Sequence, residues 1–186
     1  SGGMPLSKVI AKRWEEVTGC KILEGYGMTE ASPLVACNDY HDYQTDSIGK
    51  ALPFTELKIT DEDGNILEQG AEGELSVRGP QVMLGYWQQP EETAAILGKD
   101  SWLRTGDVAS IDAYGNLKII DRLKDMIIVS GFNVYPLEIE NVVRAYRGVR
   151  DAVAVGVKTP EGLEQVKLIV VADNQFLDKV ELLNYC

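Results

Sequence analysis

Apolar and polar positions along this chain fall into three textures. Val9, Ile10, Trp14 and Val17 recur at helical spacing, Pro5 suits a first helical turn and Gly19 ends the run. This predicts a helix, followed by a short strand over Cys20–Leu23. From Ile48 the pattern becomes strands and turns. Phe54–Thr60 and Glu74–Arg78 alternate, with turn signals at Asp61-Glu62-Asp63-Gly64-Asn65 and Gly70–Gly73. A second turn of the same kind, Asp112-Ala113-Tyr114-Gly115-Asn116, separates Asp107–Ile111 from Leu117–Ile120. Such hairpins predict a small curled β unit from Ile48 to Ile120, interrupted by a short helix over Pro90–Leu97.

The third texture begins after a charged knot. Asp121, Arg122, Lys124 and Asp125 stand between the apolar runs Leu117–Ile120 and Met126–Val129. Two strands joined by mixed charge read either as a crossing between folded units or as a surface turn laced with ion pairs. Beyond Gly131, Phe132–Tyr135 is extended, Pro136 opens a helix marked by Ile139, Val142, Val143 and Tyr146, and Gly148 closes it. Ala152–Val157 and Val166–Ala172, parted by a Pro160/Gly162 turn, predict two paired buried strands, and Leu177–Tyr185 predicts a last helix.

Composition narrows the function. Hydrophobic content of 45% and charged content of 25% are those of a globular protein. No apolar run is long enough to span a bilayer, and no secretory signal pattern opens the chain. A net charge of -11 argues against nucleic acid as a partner, yet local cations or backbone N–H groups can still hold a small anion. Cys20, Cys37 and Cys186 have neither zinc spacing nor a disulfide framework, which suggests a reducing, cytoplasmic setting. His41 sits alone in a polar run and reads as solvated surface.

Gly25-Tyr26-Gly27-Met28-Thr29-Glu30 carries candidate chemistry. A strand opening into Gly-X-Gly can bring backbone and Thr29 against a phosphate, with Glu30 beside a divalent cation; a plain tight turn is the competing reading. Three further stretches follow in order: Gly79-Pro80-Gln81-Val82-Met83-Leu84-Gly85-Tyr86-Trp87, Trp102-Leu103-Arg104-Thr105-Gly106-Asp107, and Val129-Ser130-Gly131-Phe132-Asn133-Val134-Tyr135-Pro136. Together the four resemble the adenylate-forming enzymes, the superfamily of acyl-CoA synthetases, luciferases and peptide-synthetase adenylation domains. Their wording is nearest to bacterial long-chain fatty-acid–CoA ligases, and the resemblance runs over nearly all the chain.

The resemblance implies a reaction in which a carboxylic acid attacks the α-phosphate of ATP, giving an acyl-adenylate and pyrophosphate, after which the thiol of coenzyme A displaces AMP. It implies a mixed α+β fold: residues 1–47 as the end of a large α/β domain, 48–123 as a small distorted β-barrel-like subdomain, and 124–186 as a small α+β domain beyond a hinge. Tyr26, between Gly25 and Gly27, would stack on adenine; Thr29 would bond the α-phosphate and Glu30 would ligate Mg²⁺. Asp107 would accept from both ribose hydroxyls, against the alternative of a turn residue after Gly106. Arg122 would reach ribose or phosphate, against an ion pair with Asp121 or Asp125. Lys124 would be the hinge. Gly131 would lie on the pantetheine path of coenzyme A, against a plain hairpin glycine. Gly79-Pro80, Gly85-Tyr86-Trp87 and Trp102 read as packing.

Two departures qualify this. No Ser/Thr/Gly-rich phosphate loop with a following lysine is visible, and the Lys179 region lacks the family's late Gly-Lys pattern. The chain alone is therefore expected not to make acyl-CoA. The resemblance implies a fatty acid, ATP and coenzyme A as ligands of the parent, and it allows a peripheral contact at the inner membrane and a dimer. Adenylation of another acid, or a non-catalytic scaffold of the same fold, are the rival readings.

Overall fold

The computed structural model describes residues 1–3, 6, 8–44, 46–160, 162–173 and 177–186, with the side chains of 8 and 9 outside the description. The expected first-turn role of Pro5 falls outside the described residues. The chain divides into two units, Ser1–Ile119 and Ile120–Cys186.

The first unit opens with α1 (Lys8–Thr18), which ends where Gly19 adopts φ +70°, a left-handed turn that glycine enters without a Cβ clash. The residues expected to form a strand at Cys20–Leu23 are irregular; pairing starts instead at β1 (Gly25–Gly27). That strand pairs antiparallel with β2 (Leu34–Cys37), which pairs with β3 (Lys50–Ala51). A second sheet follows in the order β4 (Glu56–Thr60), β5 (Gly73–Arg78), β6 (Leu103–Ile111), β7 (Leu117–Arg122). The short helix α2 (Pro90–Ile96) lies between β5 and β6 in sequence, with Pro90, Glu91 and Glu92 in its first turn, residues suited to the positive end of a helix.

The barrel-like subdomain expected from the hairpins does not form. Four sheets are present among the described residues, and β4 and β7 remain opposite edges of an open sheet. The physical reason lies at those edges. Ile66 bridges Thr60 beside β4, and Gly49 bridges Leu117 beside β7, so each edge is covered locally and neither turns to meet the other. What holds the unit together is apolar packing between sheets: Ala31, Val35 and Ala36 from the β1–β2 region join Ile59, Leu75, Val77, Leu103, Ala109 and Leu117 in one buried cluster. Trp102, expected in the core, is half-buried, with Lys58 Nζ 4.4 Å and Arg78 Cζ 4.7 Å from its ring centroid. Cation–π attraction accounts for that placement.

The second unit contains the hairpin β8 (Ile127–Val129) and β9 (Phe132–Val134), α3 (Pro136–Arg144), the antiparallel pair β10 (Val149–Lys158) and β11 (Glu164–Ala172), and α4 (Lys179–Tyr185). Val143, Val149, Ala152 and Leu182 form its buried cluster. The β10–β11 pair forms as expected, but the strands are buried only in part. Ala152 and Ala154 point inward, while Val153, Val155, Val157, Ile169 and Val171 are exposed; in a sheet of two strands the described residues of this unit cover one face. Among the described residues no helix is long and apolar enough to cross a membrane.

Candidate functional site

Gly25, Tyr26 and Gly27 form β1 itself, and the close approach of β2 requires a glycine at position 27. Tyr26 pairs with Ala36, and the register shifts before Gly27 meets Leu34. A Cβ on Gly27 would lie 1.9 Å from the Pro33 carbonyl oxygen, and one on Gly25 would lie 3.1 Å from Leu34 Cδ1. Beyond the strand, Met28 N–H donates to Pro33 O at 2.8 Å, and a 3-10 turn covers Thr29–Ala31. Thr29 is exposed and Glu30 half-buried.

Asp107 is neither surface nor turn. It is 3% exposed, within β6. The β5–β6 register pairs Glu74 with Val108 and Ser76 with Arg104, so Thr105, Gly106 and Asp107 oppose Leu75 alone. This is a β-bulge, a device that re-aims side chains. Gly106, at φ +71°, makes the kink. Thr105 Oγ1 donates to Leu75 O at 2.9 Å and accepts from Asp107 N–H at 3.1 Å, holding it. Into this bulge the Tyr26 hydroxyl donates a hydrogen bond to Asp107 Oδ2. Two residues selected for nucleotide contact thus meet, and the contact lies within one unit.

Glu30 has a partner that reading the sequence missed. The Tyr86 hydroxyl donates to Glu30 Oε1 at 2.6 Å, and this bond, ahead of partial burial and the nearby carboxylate charges, raises the Tyr86 pKa above its usual 10.0. Tyr86 belongs to a stretch read as packing, whereas its neighbour Trp87 is 86% exposed. No sequence signal links positions this far apart. Among the described residues Glu30 Oε2 has no hydrogen bond, and no three His, Cys, Asp or Glu side chains gather as a metal cluster. A lone carboxylate fits Mg²⁺, which is commonly held by one or two carboxylates together with substrate phosphates.

In the second unit, Arg122 ends β7, and Lys124 lies in a 3-10 turn over Leu123–Asp125; both are exposed. Asp121 does the organising here. Its Oδ1 accepts from Arg122 N–H at 2.7 Å and its Oδ2 from Leu137 N–H at 2.9 Å, the first turn of α3. Gly131 is the second residue of a two-residue hairpin loop, with Ser130 at φ +52° and Gly131 at +86°. Two positive φ values define a type I′ turn, which accounts for the glycine without any ligand. Gly131 also borders a cavity of about 510 Å³ lined by Ile128, Ser130, Lys158, Leu163 and Gln165.

Residues 1–87 match the family described as AMP-binding enzyme. The chain shows strong homology to the AMP-binding, adenylate-forming enzymes. Within that class it is 52% identical over 186 residues to the long-chain-fatty-acid–CoA ligase of Escherichia coli O157:H7, a match covering 100% of this chain and 33% of that protein. A feruloyl-CoA synthase from Amycolatopsis sp is 42% identical over 186 residues, covering 98% of this chain and 37% of that protein. Among solved structures, ATP-bound MatB from Rhodopseudomonas palustris superposes with a TM-score of 0.93 at 38% identity, over 100% of this chain and 37% of that one. The chain thus spans about a third of the length of the relatives it matches.

Proposed function

We propose that this chain is part of an ATP-dependent ligase that joins long-chain fatty acids to coenzyme A through an acyl-adenylate. The observation that carries the reading is identity at half of all positions, along the whole chain, with proteins of that name. The geometry supports it from the residues upward. Tyr26 offers an aromatic face for adenine beside Gly25 and Gly27, and its hydroxyl orients Asp107 so that the carboxylate can accept from ribose hydroxyls. Thr29 supplies a donor for the α-phosphate, and Glu30 Oε2 is the position for Mg²⁺. When bound, that cation neutralises charge on the phosphate oxygens as pyrophosphate departs.

Arg122 is the cation for ribose or phosphate, Lys124 the hinge position, and Gly131 part of the coenzyme A path. In this reading residues 1–47, 48–123 and 124–186 serve as three parts. The triphosphate clamp and an adenylating lysine come from elsewhere in the parent, so the chain alone makes no acyl-CoA. A second reading, the same chemistry on an aromatic acid, is favoured by the feruloyl-CoA synthase match.

The test is a product assay on the full-length parent with ATP, Mg²⁺, coenzyme A and a panel of acetate, benzoate, ferulate, amino acids and palmitate. AMP release with a palmitoyl thioester is expected. A feruloyl or benzoyl thioester in its place keeps the mechanism and discards the fatty acid. No AMP from any acid leaves a non-catalytic scaffold.

A further inference from the structure

We propose that Tyr86 is a positioning residue that holds Glu30 in a one-oxygen geometry and thereby sets the preference of this site for Mg²⁺ over Ca²⁺. The inference rests on the reading of Glu30 as the metal-holding carboxylate and adds a residue and a selectivity to it.

A carboxylate can meet a cation with one oxygen or with both. Ca²⁺ accepts both readily, being large and irregular in coordination, whereas Mg²⁺ demands a near-ideal octahedron at short range. In this chain the choice is constrained. Tyr86 Oη occupies Oε1 at 2.6 Å, while Oε2 has no hydrogen bond among the described residues. The other end of Glu30 is held by the same segment, since Met83 N–H donates to the Glu30 carbonyl at 2.8 Å. Residues 83–86 therefore clamp one residue at both its backbone and its carboxylate.

The clamp is itself built. Gly85 adopts φ +147°, and a Cβ there would lie 2.7 Å from Thr93 Cγ2. Thr93 Oγ1 accepts from Tyr86 N–H at 2.9 Å and donates to Gln89 O at 2.8 Å. The start of α2 thus fixes the backbone that aims the phenol. Partners behind a metal ligand typically change metal affinity by about 10- to 100-fold when removed. Tyr86 is 37% exposed, which points to the lower end.

The experiment compares wild type, Tyr86→Phe and Glu30→Gln in the full-length parent. Mn²⁺ binding to the enzyme–nucleotide complex is followed by electron paramagnetic resonance, with Mg²⁺ and Ca²⁺ as competitors, and the Mg²⁺ dependence of adenylation is measured alongside. Tyr86→Phe is expected to weaken Mn²⁺ and Mg²⁺ about tenfold while the affinity for Ca²⁺ is unchanged, so the cation ratio moves toward Ca²⁺. Unchanged Mn²⁺ affinity and cation ratio in Tyr86→Phe, with Glu30→Gln impaired, overturns the role of Tyr86 and leaves Glu30 standing. Unchanged metal binding in Glu30→Gln overturns the reading of Glu30 and this inference with it. Equal weakening of all three cations in Tyr86→Phe marks general loosening and overturns the positioning role, whatever the variant's Tm.

Discussion

The Tyr26 hydroxyl on β1 donates a hydrogen bond to the Asp107 carboxylate in the bulge of β6, joining residues 81 positions apart. Because Asp107 is 3% exposed, removing a donor from it is costly: a hydrogen bond to a buried charged group is worth about 1.5–3 kcal/mol. Tyr26→Phe, which keeps the ring, is expected to lower stability by about 1.5 kcal/mol and to raise the KM for ATP in the parent. Urea unfolding and initial rates at varied ATP check this. A variant with wild-type stability and an unchanged KM would show that the pair neither holds the fold nor orients the carboxylate.

Gly27 and Gly131 make opposite predictions, although both belong to the candidate site. At Gly27 the space for a Cβ is filled by the Pro33 carbonyl, 1.9 Å away, and that oxygen already accepts from Met28 N–H. Gly27→Ala must break the β1–β2 pairing and is expected to cost about 3 kcal/mol, with adenylation lost. At Gly131 nothing lies within 4 Å, and only φ +86° resists substitution, a cost of about 1–2 kcal/mol. Gly131→Ala in the parent should retain ATP–pyrophosphate exchange and slow thioester formation. Equal loss of both half-reactions would remove Gly131 from the coenzyme A path.

How much of this was readable in advance depends on the distance over which each feature is decided. The Asp61–Asn65 and Asp112–Asn116 turns were legible because the device is local: each aspartate bonds the backbone N–H and side chain of an asparagine four residues on. The strands beside them followed from alternation. Gly106 inside a strand-like run is the one signal that could have revealed the bulge at Asp107. The Tyr86–Glu30 contact had no such trace, since it depends on how residues 83–86 are carried across to the 3-10 turn. Barrel closure was over-read for a related reason: hairpins specify neighbours within a sheet, whereas closure depends on what its outermost strands meet.

Asp121 is expected to matter more for stability than Lys124, its neighbour in the charged knot. Its Oδ2 satisfies Leu137 N–H in the first turn of α3, one of the donors a helix start leaves without an intrahelical partner. Losing such a partner typically costs about 1 kcal/mol. Asp121→Ala should lower stability by about that amount and raise hydrogen exchange at the start of α3. Lys124→Ala, at an exposed position, should do neither. Equal effects from the two variants would deny Asp121 its role at the helix start.

Acid should expose the contribution of the two asparagine-paired turns. The Asp112 carboxylate is held below its usual 3.8 first by the Asn116 side chain, then by the Asn116 backbone N–H, and Asp61 is lowered in the same way by Asn65. A carboxylate whose folded pKa is depressed binds its proton less readily in the folded state than in the unfolded one. Its contribution is therefore fully present above the unfolded value and is lost as pH falls through the folded value. Asp112→Ala and Asp61→Ala are each expected to be less stable than wild type near neutral pH. The gap should close progressively below about pH 4, where the wild-type carboxylates take up protons. Urea unfolding at pH 7, 4 and 3 reads the gap directly, and a gap that stays constant or widens on acidification would contradict the assignment of these turns as carboxylate-dependent.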